Sequence, residues 1–333
     1  MSGNPIELSI ALAENERTRP LLEGSVVAEG IRLRPSRLHP SEMFWRQLRY
    51  SDFDVSEMSL SSLIIAVSRG DTRWAALPVY TFRKFYHTAI LVRAGSGIRA
   101  PADLRGKRVG VPEYQQTSVI WCRGILEHEF GIRADEMEWF MERGADRSHG
   151  ASTGFAAPPR IRLSFIPPST NIGRMMVEGE LDAVFHYLKE RNLVDRSTID
   201  LASDPRVTTL FENPAAEAAR YYRKTGIYPI NHCVVVRRAV LERHPWVVLN
   251  LYAAFLAAKA EARRRMLDSL QHYLAPGLLG EQARSGLESD PMAYGLRATR
   301  PVIETLIEYV HEQGLSARRV GLEELFAAST LDL

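Results

Sequence analysis

Only two cysteines, Cys122 and Cys233, occur in the 333 residues. No disulfide framework and no thiolate zinc cluster can be built from them, and one bridge is the most that could form. Excess charge of one sign is also lacking: 42 Lys+Arg against 40 Asp+Glu leave a net charge of +2, so nothing points to a nucleic-acid partner. With 45% hydrophobic and 25% charged residues the chain is not compositionally disordered. The longest apolar stretch, residues 247–258, contains Asn250 and falls short of the roughly 20 residues that span a bilayer. The first 14 residues carry no basic leader, and their apolar run is broken by Glu7, unlike a secretory signal. A cytoplasmic location is the expectation.

Several chemical motifs are missing too. There is no phosphate-cradling glycine loop, no Gly-x-Ser-x-Gly elbow and no His-Glu-x-x-His. Gly95-Ser-Gly-Ile-Arg-Ala100 follows a predicted strand as a dinucleotide fingerprint does. Pro101 and a new strand at Arg108, however, leave no room for the crossover helix such a site needs. No two of the nine histidines sit at metal-binding spacing on one predicted helix. Neither a cofactor nor a metal is expected.

What is present is an alternation of short β-rich and helical runs, the pattern of an α/β chain with mainly parallel sheets. The length suits two domains at roughly 150 residues each. Strands are expected at 7–12, 31–34, 53–55, 75–80 and 87–93, with a helix start at 19–23 and helices at 40–50 and 59–68. Turn signals crowd residues 94–114 and mark the start of a second domain. That domain should contain strands at 108–111, 138–141, 162–166 and 181–185 and helices at 117–130 and 171–178. Residues 143–160, rich in Gly, Ala, Ser and Pro, read as a loop or lid. A returning strand at 228–237 precedes helices at 244–270, 276–288 and 301–313. The organisation expected is a first lobe from residues 1–93 and 229–333, a second lobe from 94–228, and a ligand cleft between them.

One device recurs: a strand followed by a small polar loop that opens a helix, at 13–18, 56–62, 112–118 and 167–171. Helix starts present unpaired N–H groups and a positive dipole end. In open α/β sheets they cluster at the carboxyl ends of strands, so two facing sheets would form an anion-binding cleft. Taken singly, Ser59, Thr117 and Ser169 or Thr170 are as well explained as helix caps; four such loops in two halves favour a ligand. A second device is the pair of crossovers. Arg83 and His87 precede the outgoing strand and His232 opens the returning one, which would bring all three to the cleft floor. Arginine captures carboxylates in two-pronged fashion and histidine carries protons near neutral pH. A surface arginine and histidines satisfied inside a sheet are the plainer readings of the same residues. Tyr86, Trp121 and Trp45 read as core or cleft wall.

The string Asp103-Leu-Arg-Gly-Lys-Arg-Val-Gly-Val-Pro112 resembles the Asp-Leu-x-Gly-Lys-x-Val-Gly signature in the second domain of type II periplasmic-binding-protein folds. Phe53-Asp-Val-Ser-Glu-Met-Ser-Leu-Ser-Ser62, Ala76-Leu-Pro-Val79 with Arg83 and His87, Glu113-Tyr-Gln-Gln-Thr117 with Trp121, and Gly226-Ile-Tyr-Pro-Ile-Asn-His232 together resemble the 4,5-dihydroxyphthalate decarboxylase family, from about residue 7 to 246. Asn231 stands where the family pattern would carry methionine.

The resemblance implies cytoplasmic, non-oxidative decarboxylation of a hydroxylated aromatic dicarboxylate, 4,5-dihydroxyphthalate giving protocatechuate and CO2, without a redox cofactor. For that chemistry Arg83 and backbone N–H groups near Ser59, Thr117 and Thr170 are expected to clamp the carboxylates, with Ser61 and Ser169 also against the substrate. His87 and His232 would be proton donor and phenol partner, with His39 and Glu42 in reserve and Tyr114 and Gln116 against the substrate. The expected partner is a small aromatic dicarboxylate, not nucleic acid or membrane, and a homo-oligomer is left open. The competing reading is a non-catalytic solute-binding protein for an aromatic acid on the same fold. An enzyme acting on a pyrimidine or thiamine precursor would share the fold but has no motif here.

Overall fold

The computed structural model describes residues 4–333. Two mixed sheets organise it. The first has the order β2-β1-β3-β11-β4 and is made of β1 (Ile6–Leu12), β2 (Ile31–Arg37), β3 (Val55–Ser59), β4 (Trp74–Arg83) and β11 (Ile230–Arg237). β1 lies parallel to β2 and β3, whereas β11 inserts antiparallel between β3 and β4. The second has the order β10-β5-β9-β6-β7-β8, from β5 (Leu91–Arg93), β6 (Arg108–Val111), β7 (Glu138–Met141), β8 (Arg162–Phe165), β9 (Ala183–Val184) and β10 (Val207–Thr209). Burial follows this order. Central β3 and nearly all of β4 and β11 are buried, while edge strand β2 tolerates Pro35, whose missing N–H is not needed there.

Among the described residues, twelve α-helices cover these sheets. They are α1 (Arg19–Leu22), α2 (Pro40–Tyr50), α3 (Leu60–Ser68), α4 (Thr117–Phe130), α5 (His149–Thr153), α6 (Ile172–Glu178), α7 (Pro214–Thr225), α8 (Arg238–Arg243), α9 (Val247–Leu274), α10 (Glu281–Glu288), α11 (Leu296–Glu312) and α12 (Leu322–Leu325). Local signals set the sharpest ends. Pro40 occupies the first turn of α2, where its missing N–H is harmless. Gly131 closes α4 in the left-handed conformation at φ +67°. Inside α4, Gly124 lets Tyr309 of α11 pack against the backbone, since a Cβ there would lie 2.1 Å from the tyrosine ring.

One apolar cluster runs through both sheets, from Ile10, Val55 and Val234 to Val109, Trp121 and Trp139. Trp121 belongs to it, its Nε1–H donating to Ile230 O at 2.9 Å. Both cysteines are free and buried. Among the described residues no helix is long and apolar enough to cross a membrane.

The structure departs from the sequence expectation in several places. Residues 87–93 are not one strand: Tyr86–Ala89 is a 3-10 turn closed by Thr88 Oγ1 on Phe85 O at 2.8 Å, and only Leu91–Arg93 is strand. That strand pairs in the second sheet, so the chain has left the first sheet before Ala94. The polar run 56–59 is not a loop but the buried continuation of β3, which feeds directly into α3. Residues 143–160 are no simple loop, because α5 forms within them and Arg143, Ser148 and His149 are buried. Helix α11 begins at Leu296, so Pro301 lies inside it and forgoes one helical bond. Helix α7 was not expected, although Asn213 caps it through Ala216 N and Pro214 opens it.

Candidate active site

The carboxyl ends of β3 and β4, the opening of β11 and the starts of α2 and α4 enclose a cavity of about 280 Å³, at the small end of sites for small molecules. Four histidines line it: His39, His149, His186 and His232. Glu57, Ser59, Thr81, Gln116, Thr117 and Asn231 add polar groups, and Phe44, Phe82 and Tyr86 form apolar wall. His232 is held between two of these rings, stacked on Phe82 at 5.2 Å and edge-on to Phe44 at 4.8 Å between centroids.

The neighbours of each ring determine what it can do. His232 Nδ1 lies 3.3 Å from Glu57 Oε2, and the carboxylate accepts only, so Nδ1 carries a proton and donates it. Nε2 is left for the cavity. Glu57 is buried and is anchored by Ala13 N at 2.8 Å. His39 caps α2, its Nδ1 accepting from Ser41 N at 3.3 Å and facing Asn192 Nδ2 at 3.1 Å. With Nδ1 used as acceptor, the neutral ring has its proton on Nε2 and is a donor there. Burial holds the His39 pKa below the ordinary histidine value, which favours this neutral form. Burial likewise pushes His186 down to about 3. His149 is lowered by the same cause, wedged beside Glu113 and Arg143.

The start of α4 meets the start of α3 across the junction of the two lobes. Ser61 N donates to Thr117 Oγ1 at 3.0 Å, so the first turn of α3 is capped from α4. Ser61 Oγ donates to Gln115 O at 2.8 Å and receives from Thr117 Oγ1 at 3.0 Å. Thr117 Oγ1 in turn is 2.9 Å from Ser59 Oγ. With the Ser61 and Thr117 protons so committed, Ser59 is the donor in that last pair, and the hydroxyls form one directed chain joining the lobes. Behind them, buried Arg143 donates to Asp195 Oδ1 at 2.8 Å, Glu113 Oε2 at 3.0 Å and Ser41 Oγ at 2.7 Å. This network ties α2 to the second lobe directly beneath His39 and His149.

Of the residues expected from sequence, His39, Ser59, Gln116, Thr117 and His232 line the cavity, and Ser61 supports it through Thr117. The others lie elsewhere. His87 is turned by the 3-10 segment into a pocket of Phe85, Phe211 and Tyr221, with Nε2 3.4 Å from Glu217, and is fully buried there. Arg83 donates to Ala293 O at 2.6 Å and packs over Tyr80, so it faces the C-terminal segment and not the cavity. Ser169 and Thr170 follow β8, the edge strand of the second sheet, and are outside the cavity lining. Tyr114 lies under the Arg123 guanidinium at 3.8 Å and against Trp139, inside the core. Glu42 sits on the partly exposed side of α2, 3.7 Å from Arg46. Tyr86 is cavity wall, and Trp45 donates from a half-buried position to Asp146 O at 3.1 Å.

Sequence reasoning passed over Glu57, His149, His186 and Arg143. His186 carried a usable signal, since it directly follows a predicted strand where open α/β sheets place ligand contacts. Glu57 carried a weaker one, a carboxylate between Ser56 and Met58 that reads as loop until β11 is seen beside it. Among the described residues no three His, Cys, Asp or Glu side chains form a group that could hold a metal ion.

The fold is that of a two-lobed, type II periplasmic-binding-protein-like protein, with this cavity where the lobes meet. Residues 41–153 match the family model described as ABC transporter, phosphonate, periplasmic substrate-binding protein. The alkanesulfonate-binding protein SsuA from Xanthomonas axonopodis pv. citri, solved bound to MOPS, superposes with a TM-score of 0.56 at 14% identity, covering 96% of this chain and 97% of that one. The 4,5-dihydroxyphthalate decarboxylase of Comamonas testosteroni is 33% identical over 330 residues, 98% of each chain. That of Pseudomonas putida is 33% identical over 220 residues, 66% of this chain and 83% of the relative. The chain belongs to the 4,5-dihydroxyphthalate decarboxylase family.

Proposed function

We propose that the protein is a carboxy-lyase that converts 4,5-dihydroxyphthalate to protocatechuate and CO2. The observation that carries this reading is the His232–Glu57 pair, set between two phenyl rings in a cavity where a ring-bearing anion fits. Similarity to two proteins of that name, over 98% of the chain in one case and 66% in the other, supports it.

The reaction exchanges a carboxylate for a proton at one ring carbon and changes no oxidation level. A hydroxyl para to the departing carboxylate lets that carbon accept a proton, after which the C–C bond pair returns to the ring as CO2 leaves. Each turnover therefore needs one proton delivered to carbon and a firm hold on the carboxylates. In this reading His232 supplies the proton from Nε2, and Glu57 stabilises the imidazolium through Nδ1–H. The 16% side-chain exposure of His232 gives it a route to recover the proton from solvent. The carboxylates lie against His39 Nε2–H and the first N–H groups of α4 at Thr117 and Ser118, where the helix dipole favours negative charge. The rings of Phe82 and Phe44 hold the aromatic plane.

Purified protein incubated with 4,5-dihydroxyphthalate in D2O should release CO2 and protocatechuate in equal amounts, with one deuterium at the vacated carbon and no loss of rate on chelation. The family match over residues 41–153 favours a second reading, an aromatic-acid-binding protein without turnover. Tight binding without product would select it.

A further inference from the structure

Among the described residues, five side chains that line the cavity carry a buried polar atom without a hydrogen-bond partner: Thr81 Oγ1, Gln116 Oε1, His149 Nδ1, His186 Nδ1 and Asn231 Oδ1. Asn231 is buried on β11, and its Nδ2 donates to Pro229 O at 3.3 Å, which fixes the amide orientation. Its Oδ1 is then an acceptor, buried and without a partner among the described residues, on a residue that lines the cavity. His186 lines the same cavity from the end of β9. Its Nδ1 is buried with no partner among the described residues, and its ring stands edge-on to Tyr86 at 4.5 Å. The backbone at His186 adopts φ 57°, a region that residues other than glycine seldom occupy and that persists only where surroundings enforce it. Burial keeps the ring neutral, and a neutral imidazole always offers one acceptor nitrogen.

A buried acceptor without a donor is unfavourable, so the ligand that suits this wall brings proton donors. Carboxylates and sulfonates bring none at neutral pH, whereas phenolic hydroxyls do. The donors already assigned, His39 Nε2–H and the start of α4, sit on other elements and suit the anionic groups. We infer that Asn231 Oδ1 and His186 receive the ring hydroxyls of the ligand and are the residues that select a dihydroxylated aromatic acid over its unhydroxylated counterpart. The assignment rests on the functional reading above and adds the basis of its selectivity. Sites built to bond a hydroxyl reject analogues lacking it strongly, by as much as ~10⁴-fold.

Equilibrium titration with protocatechuate and with benzoate separates the possibilities, since neither is consumed by the proposed reaction. The wild-type protein should bind protocatechuate about 100-fold more tightly than benzoate, well within that range. Asn231→Leu and His186→Gly should each reduce that ratio about tenfold or more, leaving benzoate affinity within about threefold. Glycine suits the φ of residue 186, so the second variant keeps the test valid should the first fail to fold. A ratio unchanged in folded variants, or a wild-type protein that binds both acids equally, overturns the assignment while decarboxylation of 4,5-dihydroxyphthalate still stands or falls on its own assay. Failure of the wild-type protein to bind either acid, together with no turnover, overturns both.

Discussion

Glu57 and His232 lie 175 residues apart in sequence, yet Glu57 Oε2 and His232 Nδ1 are 3.3 Å apart because β11 inserts antiparallel beside β3. Glu57 is held from its other side by Ala13 N. The carboxylate thus fixes both the tautomer and the orientation of a cavity-lining imidazole, as carboxylate–histidine pairs do when the histidine must carry charge briefly.

Replacing Glu57 with Gln tests that pair. The amide keeps one oxygen, enough for Ala13 N or His232 but not both, and it removes the negative charge that stabilises the imidazolium. We expect kcat for 4,5-dihydroxyphthalate to fall on the order of 10²-fold, the low end of general acid–base effects, with KM within about threefold because the carboxylate clamp is elsewhere. Steady-state kinetics on the folded variant measure both. An undiminished kcat removes His232–Glu57 from proton delivery.

Arg143 poses a stability question. Its guanidinium is fully buried between Glu113 and Asp195, which are themselves buried, and it also holds Ser41. Arg143→Met leaves two buried carboxylates without their cation, a change that typically costs about 3–5 kcal/mol. Glu113 keeps Ser148 Oγ and Gly150 N, and Asp195 keeps Asn192 Nδ2, so the lower end of that range is expected in urea unfolding. Arg143→Lys should recover only part of it, since a point charge cannot address three acceptors in different directions. A loss under about 1 kcal/mol would mean that the network contributes little to holding the lobes.

Elements whose ends carry their own chemistry were legible from the sequence. α2 opens at Pro40 and α4 closes at Gly131, and both match residue for residue, as do β6 and β7. The two-lobed fold and the nearness of His232 to the cleft were legible from the crossovers, Thr117 from a loop at a strand end, and His39 only through the family resemblance; all three residues line the cavity. What failed depended on strand order and on turns shorter than the hydrophobic period. Ser169 and Thr170 obey the same strand–loop–helix rule as Thr117, but β8 lies at a sheet edge whereas β6 is internal. Glu57 looked like loop because its partners, Ala13 and His232, are supplied only by tertiary pairing. His87 was misplaced because one 3-10 turn rotates it from the first sheet toward α7.

That rotation places His87 outside the cavity lining, where its burial bears on stability. Burial pushes its pKa down to about 4 despite the nearby Glu217 carboxylate. An unfolded histidine protonates near 6.5, so as pH falls from about 6.5 to about 4 the unfolded chain takes up a proton that the folded chain refuses. The folded state loses stability through that window, on the order of 3 kcal/mol for this one residue. His87→Phe completes the aromatic pocket of Phe85, Phe211 and Tyr221 and leaves Glu217 paired with Arg220 at 2.7 Å. Urea unfolding at pH 4.5 and pH 7 should show the variant with a smaller acid-induced loss than wild type, while its kcat at neutral pH stays within about twofold. The remaining acid sensitivity comes from His39, His149 and His186, whose pKa values are lowered in the same way, and from carboxylates held below their ordinary range, such as Glu113 and Asp195. A variant that keeps the full acid-induced loss but cannot turn over 4,5-dihydroxyphthalate would return His87 to the reaction and contradict its placement against α7.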